Sequence, residues 1–121
     1  MARIAQILIG LIAVMHVYFA WIEIVSWASS GRTFFPDKPD TFFAETKTLA
    51  ANQGFYNLFL TAGLVWALMI KDAIWSSKVA TCFLIFVLTA GIFGTFTISI
   101  KPLLAQTIPA TLALAALYIR R

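Results

Sequence analysis

The chain has 121 residues, 61% of them hydrophobic and 12% charged, with a formal net charge of +4. A water-soluble domain is nearer half apolar and a quarter charged, so the composition points to a membrane protein, one domain over 1–121. Lys and Arg lie scattered at the ends of apolar runs, which argues against nucleic acid and for anionic lipid headgroups, and a single Cys and a single His exclude an intramolecular disulfide and a multi-histidine metal site within one subunit.

Residues 4–28 read as a first membrane span, roughly 25 residues and ample for ~30 Å of hydrocarbon. The start, MARIAQ, has the flavour of a signal peptide. The apolar run is too long for one, however, and His16 and Glu23 interrupt it, so the expectation is a retained helix. Residues 29–48, SSGRTFFPDKPDTFFAETKT, form an amphipathic, Phe-rich connection. Gly31, Pro36 and Pro39 break regular structure there, and Asp40 suits the N-cap of a helix starting near Thr41. Phe34, Phe35, Phe42 and Phe43 are expected to lie along the membrane interface or to fold over the bundle end.

Residues 49–70 are the second span and 79–100 the third. Cys82 sits in the third, where an inert buried thiol is expected, and Gly91, Gly94 and Thr95 give it a small-residue side for close helix approach. The fourth span, 103–119, contains Pro109, which should bend the helix and free the carbonyl of Ala105; Arg120 and Arg121 act as its stop. Four spans with short second and third connections predict an all-α, antiparallel four-transmembrane-helix bundle. With both termini in the cytoplasm, the inner side holds Arg3, Lys71, Lys78, Arg120 and Arg121, and the outer side holds Arg32, Lys38, Lys47 and Lys101. This slight excess favours termini inside a bacterial cytoplasmic membrane.

The second span carries the unusual chemistry. Asn52, Gln53, Tyr56 and Asn57 fall within an arc of about 140° on one helix face. Unsatisfied amides and hydroxyls cost several kcal/mol in hydrocarbon, so something must face this stripe. Glu23 near the exit of the first span stands at similar depth, His16 lies roughly 10 Å deeper, and Trp27 continues their face. Thr95, Thr97, Ser99, Gln106 and Thr107 belong to the same half of the bundle. The pattern predicts an intramembrane polar cluster, a one-sided pocket beneath the Phe-rich connection. Glu23 and His16 are the candidate acid–base pair, and Trp27, Asn52, Gln53, Tyr56 and Asn57 the candidate ligand-binding groups. Plainer readings stay open: interfacial anchoring for Tyr56 and the tryptophans, interhelical hydrogen bonding for the amides, and a satisfied core histidine for His16.

The segments HVYFAWIEIVSW and ETKTLAANQGFYNLFLTAGL resemble a bacterial family of small four-helix membrane proteins, the domain of unknown function numbered thirteen hundred and four. The resemblance covers essentially the whole chain. It implies signature positions at His16, Glu23, Trp27, Phe43, Glu45, Thr46, Lys47, Asn52, Gln53, Gly54, Tyr56 and Asn57. Met15 stands where the family often has an acidic residue. The resemblance implies a fold and no established activity.

Three functions compete. The first is a membrane pocket that binds or transforms a small or lipid-like molecule. The second is a proton-coupled small-molecule exporter working as a homodimer, similar in architecture to the small multidrug resistance transporters; a homo-oligomer is the general expectation for partners. The third is a structural or partner-binding role. No cofactor and no metal are implied.

Overall fold

Apolar runs broken only by Gly, Pro and short polar stretches can satisfy their backbone groups internally as helices, and they do so throughout. The structure, a computed structural model, describes residues 1–119. Among these residues there are six α-helices and no strand: α1 (Arg3–Ile24), α2 (Trp27–Phe34), α3 (Asp40–Glu45), α4 (Lys47–Met69), α5 (Ala73–Thr97) and α6 (Ile108–Tyr118). A π-helical turn, Leu103–Thr107, leads into α6. Arg120 and Arg121, the expected stop of the fourth span, lie outside the described residues.

The all-helical expectation holds. Two helices, α2 and α3, form within the stretch between the first two expected spans; α3 answers to the helix expected near Thr41, and α2 is the one not foreseen. α1 closes at Ile24, where the Ser26 N–H divides between the carbonyls of Trp21 (3.3 Å) and Ile22 (3.2 Å), and α2 starts at once. α3 begins one residue earlier than expected. Pro39 holds the extended cap position, and Asp40 is the first helical residue, paired with Arg32 of α2. α5 begins upstream of residue 79 because the Asp72 carboxylate accepts the Trp75 N–H (2.8 Å) and caps the helix. Cys82 is exposed rather than buried.

Two helices, α1 and α5, are long and apolar enough to cross a membrane, against four expected spans. α4 has the length but carries Asn52, Gln53 and Asn57 in its first half, and α6 is the shorter apolar helix. Pro109 lacks the N–H that a regular helix would use there. The chain responds with the π-helical turn, in which the Ile108 N–H reaches back to the carbonyl of Leu103.

The chain divides into two compact units, Met15–Phe59 and a second made of Met1–Val14 with the described chain from Leu60 onward. The second unit has an aliphatic core: Ile9 and Ile12 of α1, Leu64 and Ala67 of α4, Leu84 and Val87 of α5, and Ala110 and Ala113 of α6. Side-chain hydroxyls bond carbonyls across its helices, Thr61 to Ala13 (3.2 Å), Ser76 to Ala67 (2.7 Å) and Thr107 to Leu88 (3.1 Å). Gly91 makes the last of these fit: a Cβ there would stand 2.2 Å from Thr107 Oγ1.

Candidate functional site

The unit Met15–Phe59 holds every candidate acid–base and ligand-binding residue that the sequence nominates. Its helix contact is set by small residues. Ala50, Gly54 and Asn57 follow one another at helical spacing and form the buried side of this part of α4. Gly54 lies so close to α1 that a Cβ would meet Ile24 Cγ1 at 2.7 Å, the Ala20 carbonyl at 3.1 Å and Glu23 Cβ at 3.1 Å. One turn further along, this approach delivers Asn57 to Glu23: the Asn57 amide Nδ2 donates to Glu23 Oε1 at 2.5 Å. Asn57 is buried and Glu23 half-buried.

The same geometry sends the rest of the stripe elsewhere. At 100° per residue, the face centred on Ala50, Gly54 and Asn57 leaves Asn52 and Tyr56 on the opposite side and Gln53 at the flank. All three are exposed, Tyr56 to 60%, with its ring set edge-on against Phe59 at 5.7 Å. The expected polar cluster is therefore not gathered as one group; α4 turns only the Asn57 edge of its stripe towards α1. His16 is 0% exposed, with its ring edge-on to Phe19 at 5.6 Å. Seven residues of helical rise, roughly 10 Å, separate its backbone from that of Glu23.

Trp27 belongs to a different assembly, a cap built from α2 and α3. Its Nε1–H donates to Thr46 Oγ1 (2.9 Å), whose own hydroxyl donates to the Phe42 carbonyl (2.6 Å). The indole packs against Phe35 (5.8 Å), Phe42 (6.3 Å) and Phe43 (5.6 Å), and Phe43 is buried. Arg32 crosses between the two helices, pairing with Asp40 and lying 4.8 Å above the Phe43 ring. Lys38 stacks over Phe42 at 5.3 Å. The phenylalanines thus hold a small helical hairpin together.

Sequence reasoning named Glu23 and Asn57 without pairing them, and it missed Gly54 as the residue that lets them meet. A glycine inside a helix beside buried-type polar residues is a usable signal for close approach. The Trp27–Thr46 bond has no comparable signal, because nothing in a spacing of 19 residues predicts it. The remaining polar residues of the expected cluster lie in the other unit. There Thr95 and Thr97 bond back to the carbonyls of Gly91 and Phe93 (both 2.8 Å), whereas Thr107 donates across to Leu88 of α5.

A groove in this unit has a volume of about 190 Å³ and is apolar, lined by Val17, Ala20, Trp21, Ile24, Val25 and Leu58. It shares Ala20 and Ile24 with the Gly54 contact, while Glu23 and Asn57 do not line it. Among the described residues no group of three or more His, Cys, Asp or Glu side chains converges as a metal site would require.

A family model described as "Protein of unknown function (DUF1304)" matches residues 10–118. The chain is also similar to the uncharacterized protein YpaA of Lactococcus lactis subsp. lactis (strain IL1403), with 28% identity over 116 residues, 94% of this chain and 96% of that protein. No solved structure matches.

Proposed function

We propose, for a chain that belongs to the DUF1304 family of proteins of unknown function, an integral membrane protein in which the Glu23–Asn57 pair binds a small or lipid-like molecule. The membrane reading takes α1, α4, α5 and the π-helical turn with α6 as four spans of a bundle in a bacterial cytoplasmic membrane. Both termini are cytoplasmic, and the α2–α3 cap lies at the opposite interface. It is supported by the length and apolarity of α1 and α5 and by the residues they leave uncovered, such as Val14 (68% exposed) and Phe96 (87%). Water would penalise such a surface and lipid would not.

The observation that carries the site is the hydrogen bond from Asn57 to Glu23. A carboxyl group near the end of an apolar helix is costly unless it has work or a partner. Here one oxygen is held by a neutral amide, and among the described residues the other has no donor. Glu23, held by the buried Asn57, is an oriented acceptor that is itself only half-buried. Glu23 is the residue for proton exchange with the bound molecule, and His16 stands roughly 10 Å further along α1. The exporter reading wants its carboxylate near mid-depth, whereas Glu23 is next to the last residue of α1.

Native mass spectrometry of the full chain, extracted from membranes in a mild non-ionic detergent, tests the proposal. The wild type is expected to carry a small-molecule or lipid adduct that Glu23→Gln and Asn57→Leu lose while staying folded. If all three carry the same adducts and Asn57→Leu only lowers the thermal midpoint, the pair is interhelical glue and the structural reading wins.

A further inference from the structure

Glu23 is short of a counter-charge. Among the described residues the ion pair is Arg32–Asp40, in the cap, and no Lys, Arg or His side chain pairs with Glu23. Asn57 contributes a neutral N–H to one oxygen only. What the carboxyl group still offers is acceptance, and an ionised carboxylate in apolar surroundings is stable only when a cation or further donors meet it. An anionic ligand is repelled there. A neutral alcohol supplies a donor and leaves the charge uncompensated. A protonated amine supplies both, through a charge-assisted hydrogen bond. The neighbouring surface favours an apolar body. Ile24, packed beside Glu23 at the Gly54 contact, is also a wall of the adjacent groove, which Glu23 itself does not line and whose lining side chains are all apolar. A small hydrated cation gains nothing from such walls; an alkyl body does.

We infer that the ligand of this site is a monocationic alkylammonium: a protonated amine at Glu23 Oε2 carried on an apolar body, whether a free amphiphile or an aminolipid headgroup. The inference rests on the reading of Glu23–Asn57 as a binding site, and the test separates the two.

The full chain in non-ionic micelles is titrated with octylammonium, 1-octanol and octanoate, which share one chain length and differ in head charge. Occupancy is read by native mass spectrometry. Charge-assisted bonding predicts that octylammonium binds at least about tenfold more tightly than either other compound, and that Glu23→Gln removes the preference. Circular dichroism of the variant checks that it remains folded. A matching pair of nanodiscs, phosphatidylethanolamine against phosphatidylcholine, identifies the source. Retention of the ethanolamine lipid by the wild type alone marks an aminolipid headgroup; octylammonium binding without it marks a free amine. Equal binding of all three octyl compounds, still sensitive to Glu23→Gln, overturns the ammonium inference and leaves the site. Binding that Glu23→Gln does not alter overturns both.

Discussion

At the scale of single residues, the contact at Gly54 governs the Glu23–Asn57 pair. Adding one methyl group there requires α1 and α4 to separate, because Ile24 Cγ1 and the Ala20 carbonyl already occupy the space. Gly54→Ala is expected to cost about 1–3 kcal/mol as an overpacking change. Asn57→Leu leaves the Glu23 carboxyl group without its donor, again a cost of about 1–3 kcal/mol. The two effects share one bond, so the double variant should lose less than the sum of the singles. Thermal denaturation of the four proteins in one detergent measures this; strict additivity would show that Gly54 does not position Asn57. The residues were legible from sequence and their pairing was not. A polar residue in an apolar helix announces itself, but which of several such residues turns inward is decided by the smallest neighbours, Ala50 and Gly54, and these carry no polar signal.

Among the elements, the α2–α3 hairpin departs most from expectation. Its proline and glycine breaks were legible as a non-spanning segment, and its phenylalanines as more than a linker. The start of α3 was legible in Pro39 and Asp40, but α2 was hidden, because a helix this short gains little from propensity and depends on tertiary contacts, here the Trp27 indole and the Arg32 bridge. Trp27→Phe keeps an aromatic ring against the cluster and loses the bond to Thr46, an expected cost of about 0.5–1.5 kcal/mol. Trp27→Ala also empties the cluster, with about 3–5 kcal/mol at stake. Hydrogen exchange should quicken through 27–46 in the alanine variant while α5 stays protected; unchanged exchange would mean that the rings are not what folds the hairpin. Pro109 gives the converse lesson. Its effect on the helix was legible from its missing N–H, but the form of the response, a π-helical turn seated against Gly91, depends on a helix elsewhere in the chain.

At the scale of the whole molecule, composition carried the fold class, since a chain so apolar and so rich in helix-length runs has few other ways to satisfy its backbone. The number of spans was less legible, because α4 mixes core-facing, polar and apolar surfaces along one helix. The membrane proposal makes a sharp prediction at an exposed position. In water, a lysine at Val14 would be tolerated, as the side chain is 68% exposed. In a bilayer it sits midway along α1 and should cost about 2.5–3.5 kcal/mol of insertion free energy. Val14→Lys is therefore expected to lower the fraction of the protein that resists carbonate extraction from membranes, and an undiminished fraction would argue against α1 as a span.

The hairpin also sorts the tryptophans optically. Trp21, Trp66 and Trp75 are all about half or more exposed, at 49%, 57% and 60%, while Trp27 alone donates its indole N–H within an aromatic cluster. Replacing the three exposed indoles by phenylalanine would leave one emitter, and its fluorescence would then report the state of the α2–α3 hairpin without any added label. A quencher confined to the hydrocarbon and one confined to water would read its depth from the same signal.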